Sequence, residues 1–402
     1  MPVNALTGIT IIECATFVTG PYAAALLGAL GARVIKIESP PGGDPYRYFA
    51  SDPVFSPNFA HLNRNKESLV LDLKAKAGHE ICAALIKEAD VFIENSRPGV
   101  AERLGLAYEA LHSRNRRLVY CSISAFGQTG PYKDKPGFDT LGQAMSGLLS
   151  VLTDRDQPQV MGIALSDYVT GISAAYGILG ALMGREKSGE GCRVDTSLLQ
   201  ATLSFIGETA AGYLRTGSIP DRMARVKNAH AFAFVTKDGL PLVVHCSVPE
   251  KFWLAFLKAL DRLNLANDAR FKSRAARQQH YEELETELAQ VFATRNRSEW
   301  LDRLEKNDVP AGALYNMAEV LADEQVRHLA LVEELELKKA GKMKFVGGPV
   351  TFTGLDKEKE TAPPLLGEHT EKVLQELGYS ESAMQKLSGE GVIQIGTQGA
   401  ST

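Results

Sequence analysis

Short apolar runs alternate with longer helical patterns through the first part of the chain. The runs rich in β-branched residues, each a strand candidate, lie at residues 9–14, 33–38, 91–94 and 118–123. Helical patterns begin at Pro21, at Lys76 and near Val100. Pro21 suits a first helical turn, where the N–H that it lacks would have no partner, and Gly31 suits the end of that helix. The alternation predicts βαβ units and therefore a doubly wound, Rossmann-like parallel sheet in an α/β domain.

A different pattern begins after these helical stretches. Glycine, proline and basic residues between 217 and 227 indicate a linker. Two apolar runs, at 231–236 and 242–246, flank an Asp-Gly pair, which is a frequent hairpin turn. Charged helical patterns follow at about 249–260 and 281–292. This part of the chain is therefore predicted to form a smaller α+β domain.

An amphipathic helical pattern near the C-terminus, at 368–377, is too short for a separate domain. We expect it to pack on the first domain. The predicted organisation is a large domain over 1–216 that is completed by 362–402, a linker over 217–227, a small α+β domain over 228–345, and a return linker with the C-terminal helix over 346–402.

The composition argues against several classes of protein. A formal net charge of -4 gives no general attraction for polyanions, so nucleic acid is not an expected partner. Five cysteines without a Cys-x-x-Cys pair predict reduced thiols, and neither a zinc site nor a disulfide framework. Glu13 interrupts the apolar start of the chain, so a secretory signal is not expected. The longest apolar segment, 172–184, is shorter than the roughly 20 residues that span a bilayer. We expect a protein of the cytoplasm or an organelle matrix with no membrane partner.

Familiar nucleotide-binding and hydrolase motifs are missing from the sequence. The turn after the first predicted strand, at 14–20, has one glycine, at its end, whereas a dinucleotide site needs several close-set glycines. No phosphate-binding loop is present, and Ser146 lacks the first glycine of a nucleophile elbow. The eight histidines have no metal-ligand spacing, so no metal is expected. His230 is kept as a candidate because it directly precedes the predicted hairpin strand.

Asp167 is the carboxylate with the most informative position. It lies between a predicted strand at 160–165 and a predicted helix at 168–186. Its side chain would lie in the positive field of the free N–H groups at the helix start, which favours the ionised form. Position alone favours an N-cap that only stabilises the helix. The same structural role applies to Asp139, which also precedes a helical pattern.

Several short motifs follow one another along nearly the whole chain. They are Leu-Thr-Gly-Ile at 6–9, Leu-Gly-Ala-Arg-Val-Ile-Lys-Ile-Glu at 30–38, Asn-Arg-Asn-Lys at 63–66, Glu-Asn-Ser-Arg-Pro-Gly at 94–99, Ala-Phe-Gly-Gln-Thr-Gly-Pro at 125–131 and Leu-Gly-Glu-His-Thr at 366–370. Together they resemble the family III CoA-transferases, the CaiB/BaiF group that contains formyl-CoA transferase and carnitine CoA-transferase. The family's nucleophilic aspartate falls in the block matched by 164–171. The resemblance therefore implies that Asp167 is catalytic rather than a cap.

The resemblance also implies a mechanism. The Asp167 carboxylate attacks an acyl-CoA thioester and gives a mixed anhydride and free CoA thiolate. The thiolate returns to the aspartyl carbonyl, and an acceptor acid then repeats the sequence in reverse. Coenzyme A and acyl-CoA are substrates, so neither a metal nor a permanently bound cofactor is implied. Resemblance to the dicarboxylate-handling members makes succinyl-CoA the first donor to test.

The family's contacts with coenzyme A fall on two residues of the first turn and on several polar or basic positions. The matching residues are Phe17, Val18, Lys74, Asn95, Ser96, Arg97 and Arg103. Cations there suit the nucleotide phosphates. The supporting residues near the nucleophile are Phe17, Gly127, Phe138, Asp139 and His230. Two departures stand out: the stretch that matches the family's glycine-rich loop, 228–232, has no glycine, and Ser39 stands where some relatives carry arginine.

Two other functions remain open. An α-methylacyl-CoA racemase would share the fold and the aspartate, but it has a histidine at the position of Phe138, and phenylalanine cannot carry a proton. A non-catalytic acyl-CoA binding protein would keep the scaffold with Asp167 as a cap. Relatives of this kind form interlocked homodimers, and the linker at 217–227 and the returning C-terminal segment are compatible with that assembly.

Overall fold

The computed structural model describes residues 4–49, 56–247, 250–338, 340–355 and 360–396. Contacts divide the chain into two units. The first unit contains Met1–Leu149, Val160–Ala210 and Leu331–Thr402, and the second contains Ser150–Gln159 and Ala211–Ala330. The small domain predicted from the sequence ended at residue 345, whereas residues 331–345 group with the first unit in this division.

The described residues contain twelve strands and eighteen α-helices. The strands are β1 Thr10–Cys14, β2 Arg33–Glu38, β3 Lys66–Leu71, β4 Val91–Glu94, β5 Val119–Ser124, β6 Arg193–Ser197, β7 Ala231–Val235, β8 Pro241–His245, β9 Ala311–Ala313, β10 Val332–Leu337, β11 Gly341–Val346 and β12 Ile393–Gln394. The helices are α1 Thr19–Ala29, α2 Pro57–Leu62, α3 Lys76–Glu88, α4 Val100–Arg103, α5 Tyr108–His112, α6 Asp139–Met145, α7 Leu165–Ser188, α8 Leu198–Phe205, α9 Gly207–Thr216, α10 Ala224–Ala229, α11 Glu250–Ala259, α12 Arg274–Gln279, α13 Tyr281–Phe292, α14 Arg297–Lys306, α15 Met317–Ala322, α16 Glu324–His328, α17 Thr370–Glu376 and α18 Glu381–Gly389. None of these helices is both long enough and apolar enough to cross a membrane.

The first unit is built on one sheet with the strand order β12-β3-β2-β1-β4-β5-β6. Neighbouring strands run parallel except β12, which pairs antiparallel with β3. The order reverses between β1 and β4. In such doubly wound sheets ligands bind outside the carboxyl ends of the strands at this switch point. The topology confirms the predicted α/β class with a parallel sheet.

Both faces of this sheet are buried. On β1, Ile11 packs in one cluster with Ile178 of α7, while the next residue, Ile12, packs in another cluster with Phe92 of β4. Successive side chains of a strand point to opposite faces, so helices cover both sides of the sheet. Val373 of α17 belongs to the same cluster as Ile12. The C-terminal segment therefore contributes to the core of the first unit.

The strand predicted at 160–165 is wrong. Residues 160–164 form no strand, and α7 already begins at Leu165. Val160 and Ile163 are 72% and 69% exposed, so this apolar run lies outside the core and has no sheet partner. The strand next to β5 is β6 instead, whose mostly polar sequence, Arg-Val-Asp-Thr-Ser, did not predict a strand.

The second unit has a three-stranded antiparallel sheet in the order β7-β8-β9. The predicted Asp-Gly turn joins β7 to β8, with Gly239 at a φ of 76°. The core of this unit is largely aromatic. The ring of Phe292 stacks on Phe234 with centroids 4.4 Å apart and lies 5.0 Å from the ring of Trp300. These contacts join the sheet to α13 and α14.

Candidate active site

A cleft opens at the carboxyl ends of β1, β4 and β5. The turn after β1 contributes residues 16–19, the turn after β4 contributes residues 95–98, and Ser124 lies at the end of β5. Phe138 and Asp167 also line this cleft. The cleft therefore lies where the reversal of strand order predicts a ligand site.

Asn95, the first residue after β4, holds the turn between β1 and α1. Its side chain accepts a hydrogen bond from the Thr16 N–H at 3.0 Å and donates to the Thr16 carbonyl at 2.7 Å. The same amide donates to Thr19 Oγ1 at 3.1 Å. Asn95 thus lines the cleft as predicted for a CoA contact, while its side-chain amide binds the neighbouring backbone.

Asp167 is the third residue of α7, and its side chain does not cap the helix. Ala164 occupies the N-cap position without a side-chain hydrogen bond. The Asp167 N–H donates to Asp139 Oδ1 at 3.2 Å, and Gln143 Nε2 donates to Asp139 Oδ2 at 2.6 Å. The N-cap role is therefore wrong for both aspartates, because Asp139 is the first residue of α6 and accepts a hydrogen bond from α7 instead.

The pKa of Asp167 is raised to about 7 by burial and, secondly, by the Asp139 carboxylate. Near neutral pH about half of the molecules therefore carry a proton on this side chain. The prediction that the helix start keeps Asp167 ionised needs correction. The reason is that burial of a carboxylate away from water costs more free energy than the field of a few free N–H groups contributes to the charged form.

Two aromatic rings form an apolar part of the cleft wall. The rings of Phe17 and Phe138 meet edge to face with centroids 6.2 Å apart, and the Phe17 ring lies 5.9 Å from that of Tyr46. Phe138 is 63% exposed. Phe17 itself has a φ of 62°, a left-handed backbone that is unusual for a residue with a large side chain.

Seven of the site residues predicted from the sequence line the cleft together. They are Phe17, Val18, Asn95, Ser96, Arg97, Phe138 and Asp167. Lys74, Arg103 and Gly127 do not line it. The Gly127 N–H donates to Ser124 Oγ at 3.0 Å, so this group is not available to stabilise an oxyanion. Asp139 lies outside the lining and acts on the cleft through its contact with Asp167.

His230 belongs to the second unit, where it is buried at the end of α10 with a φ of 45°. Burial, followed by the charges of Arg277 and Arg274, lowers the pKa of its imidazole to about 4. The side chain is therefore neutral at physiological pH. The stretch 228–232, which matches the family's glycine-rich loop, consists here of the end of α10 and the start of β7.

Lys133 and Lys135 line the cleft but were not predicted from the sequence. With Arg97 they provide three cations against one carboxylate, that of Asp167, among the described residues of the lining. The whole chain carries a formal charge of -4, so this local excess of positive charge indicates a polyanionic ligand. The sequence could have indicated both lysines as site residues, because they lie in a proline- and glycine-containing loop just before Phe138, a predicted site residue.

Comparisons with known proteins place the chain in a family. A family model described as CoA-transferase family III matches residues 6–370. Succinyl-CoA:glutarate CoA-transferase of Mus musculus is 34% identical over 401 residues, which cover 97% of this chain and 90% of the relative. Formyl-CoA:oxalate CoA-transferase of Shigella sonnei is 31% identical over 413 residues, with 95% and 98% covered. The crystal structure of a CaiB/BaiF family protein from Brucella suis has a TM-score of 0.82 at 31% identity, covering 93% of this chain and 99% of that one.

The chain therefore belongs to CoA-transferase family III, as its motifs predicted. It is an enzyme of the CoA-transferase type, a class that uses CoA thioesters as substrates. Across the described ranges, no group of three or more His, Cys, Asp and Glu side chains could hold a metal ion.

Proposed function

We propose that this enzyme transfers coenzyme A from an acyl-CoA donor to a carboxylic acid, with Asp167 as the nucleophile. The observation that carries the proposal is a largely desolvated carboxylate in the cleft at the switch point of the sheet. The three cations of the lining support a phosphate-bearing ligand.

The reaction proceeds through two kinds of covalent intermediate on Asp167, mixed anhydrides and a CoA thioester. The carboxylate attacks the thioester carbonyl carbon, the C–S bond breaks, and CoA leaves as the thiolate, so that a mixed anhydride remains. The thiolate then attacks the aspartyl carbonyl and expels the donor acid, which leaves an aspartyl-CoA thioester. The acceptor carboxylate repeats these steps in reverse. No net proton, electron or water enters the exchange.

Water exclusion is the main task that this mechanism sets for the protein. Both the anhydride and the thioester hydrolyse if water reaches them, and the burial that raises the pKa of Asp167 also restricts access of water. Asp139 supports the arrangement by accepting the Asp167 N–H, which ties the first turn of α7 to α6. The neutral His230 remains a candidate supporting residue by resemblance to the family.

Coenzyme A binds, in this proposal, along the turns after β1 and β4. Phe17, Val18 and Ser96 contact the coenzyme, and Arg97 binds a phosphate, because a guanidinium can donate to two phosphate oxygens at once. Lys74 and Arg103 lie outside the cleft lining, so their contacts rest on the family resemblance alone.

Succinyl-CoA is the proposed donor. Relatives that are 34% identical to this chain are named succinyl-CoA:glutarate CoA-transferases, and they match nearly its whole length. A panel of mono- and dicarboxylic acids, each assayed with succinyl-, acetyl- and formyl-CoA, tests the donor and the acceptor together. Exchange with a monocarboxylic acyl-CoA alone would contradict the dicarboxylate proposal.

We also propose that the enzyme forms a homodimer. Three large apolar side chains on α7 and α8 are strongly exposed, namely Tyr176 at 79%, Met183 at 68% and Phe205 at 60%. Exposed apolar surface of this kind is typical of subunit interfaces. Sedimentation equilibrium measures the mass in solution. The predicted compartment, the cytoplasm or an organelle matrix, belongs to the same proposal and is tested by cell fractionation.

The nucleophile is tested by trapping it. Incubation with succinyl-CoA and then hydroxylamine converts an acylated or thioesterified Asp167 into a hydroxamate, which peptide mass spectrometry locates. Asp167→Asn, folded as judged by circular dichroism, should show neither the modification nor thioester exchange. Asp139→Asn is the matched control, since it changes the neighbouring carboxylate but keeps the nucleophile.

Two outcomes would favour other functions. An unmodified Asp167 together with tight acyl-CoA binding would indicate a binding protein. Exchange of the α-proton of a 2-methylacyl-CoA with deuterium from the solvent, without transfer of CoA, would indicate a racemase.

A further inference from the structure

We infer that Asp44 is a positioning residue for the acyl-CoA site. Through the Phe17 N–H it holds the turn between β1 and α1 in the conformation that lines the cleft, and it thereby sets the affinity for the CoA thioester. The inference rests on the proposed function of this cleft, and it adds a residue that no sequence motif indicated.

The backbone of Phe17 needs an external anchor. A φ of 62° brings the Cβ of an L-residue close to the neighbouring carbonyl oxygen, so glycine and asparagine adopt this conformation far more readily than phenylalanine. Such conformations persist where the surrounding structure imposes them, and they cluster at functional sites. Phe17 lines the cleft together with Asp167, which fits this pattern.

Asp44 supplies the anchor. Its Oδ1 accepts hydrogen bonds from the Phe17 N–H at 3.2 Å and from the Tyr46 N–H at 2.9 Å. Its own N–H donates to Glu38 Oε2 at 3.0 Å, and its Oδ2 lies 3.0 Å from Lys36 Nζ. The Asp44 side chain is fully buried. Three contacts on the carboxylate and one on the backbone N–H of the same residue therefore hold the carboxylate in one orientation, and that orientation determines where the Phe17 N–H can lie.

Lys36 connects the anchor to the sheet. Its ammonium group lies 2.6 Å from Glu13 Oε1 and donates to the Ala15 carbonyl at 2.7 Å. Burial opposes its charge, but the carboxylates of Glu13 and Asp44 outweigh burial and raise the pKa of Lys36, so the group stays protonated. A charged lysine on β2 thus holds the turn at Ala15 and fixes the carboxylate that holds it at Phe17.

The whole turn is consequently arranged before a ligand arrives. Side chains from three separate parts of the chain bind its backbone: Lys36 at residue 15, Asn95 at residue 16 and Asp44 at residue 17. A site that is ordered in advance loses less conformational freedom on binding. Loss of the Asp44 contact should therefore weaken binding of the CoA thioester in ground state and transition state alike, which raises KM and leaves kcat nearly unchanged.

The experiment compares Asp44→Ala, Asp44→Asn and Phe17→Gly with the double variant Phe17→Gly/Asp44→Ala. Ser56→Ala is the matched control, because Ser56 is a buried N-cap of α2 whose side chain, among the described residues, accepts from its own helix at the Phe59 N–H. Thermal unfolding identifies the folded variants. Equilibrium binding of succinyl-CoA, and kcat and KM for exchange, are then measured for each one.

We expect Asp44→Ala to raise KM and Kd for succinyl-CoA about tenfold, the loss of about 1.4 kcal/mol that one net hydrogen bond contributes. Asp44→Asn keeps an accepting oxygen and should raise them about threefold. Once Phe17 is glycine, Asp44→Ala should add less than about twofold, because glycine adopts a positive φ without an anchor. Ser56→Ala should lower the melting temperature and leave KM unchanged.

A folded Asp44→Ala protein with the KM and Kd of the wild type would overturn the inference. If that variant does not fold, hydrogen exchange of the Phe17 amide in Asp44→Asn decides: faster exchange supports the anchor, and unchanged exchange contradicts it. Failure of the proposed function is a separate result, because the wild type would then neither bind nor exchange a CoA thioester.

Discussion

Asp139→Asn would remove the carboxylate beside Asp167 and thereby change the ionised fraction of Asp167. The new side chain keeps an oxygen that can accept the Asp167 N–H. Its amide would face Gln143, which now donates to the second oxygen of Asp139. Gln143 Oε1 is buried without a hydrogen-bond partner among the described residues. The Gln143 amide can therefore turn over and accept from the new amide, at the cost of the 3.2 Å hydrogen bond that Gln143 Nε2 donates to the Ile163 carbonyl.

The size of the effect follows from the causes of the raised pKa. Burial is the larger cause and remains, so the pKa of Asp167 should fall from about 7 only part of the way toward 3.8. A decrease of about one unit raises the ionised fraction at pH 6 from about one tenth to about one half. If the carboxylate is the nucleophile, as proposed, kcat/KM at pH 6 should rise on the order of fivefold, and the profile should still increase with pH to a plateau above the pKa.

The assay is the pH profile of kcat/KM for CoA exchange, followed by chromatography of the two acyl-CoA species from about pH 5 to pH 9. Glu186→Gln is the matched control, since this carboxylate is also on α7 but exposed and near its other end. A midpoint that does not move in Asp139→Asn would refute the electrostatic coupling. A rate that falls as the pH rises through 7 would refute the carboxylate as the reactive form.

Three further predictions concern stability. Asp167→Asn should raise the melting temperature more at pH 8 than at pH 5. The pKa of Asp167 is about 7 in the folded protein and 3.8 in the unfolded chain, so between these values the folded protein holds a proton that the unfolded chain has lost. Above pH 7 this difference destabilises the folded state by at most about 4 kcal/mol, and the asparagine removes it. Gly142→Ala should lower stability by about 2 kcal/mol and also reduce kcat, since its Cβ would lie 2.2 Å from Ser166 Oγ and separate α6 from α7. Gly389→Ala on α18, where an added Cβ meets no described atom within 4 Å, is the control in both assays. Glu13→Gln should cost about 3 to 5 kcal/mol in urea unfolding, because it leaves two fully buried lysines with too little negative charge. Unchanged stability in any of these variants would contradict the corresponding contact.

The local sequence pattern predicted those strands and helices that a single apolar or amphipathic run is enough to define. β2, β4 and α3 begin where the apolar and amphipathic runs indicated, because burial of those runs is enough to define them. β3 was missed, since it begins with Lys66, a charged residue that no local rule assigns to a core. Lys66 is buried because its ammonium group lies 2.7 Å from Glu13 Oε2, on a strand that is distant in sequence.

The site also divides into features that short motifs predict and features that depend on contacts between residues distant in sequence. The order of the motifs was sufficient to select Asp167 and six of the sixteen other residues that line the cleft with it. The raised pKa of Asp167 could not be predicted, because its burial depends on the tertiary fold and its second cause, Asp139, lies 28 positions away in the chain. The left-handed backbone of Phe17 was equally hidden, since the carboxylate that holds it comes from the irregular segment after β2.

The antiparallel pairing of β12 with β3 has a consequence for synthesis of the chain. Translation completes β3 early, whereas β12 and the buried α17 emerge only after the entire second unit has been made. Until then the nascent polypeptide exposes an unpaired strand edge and a half-covered layer of apolar side chains, the features that favour aggregation before folding is finished. Newly made copies should therefore be most dependent on chaperones until the ribosome has translated α17 and β12.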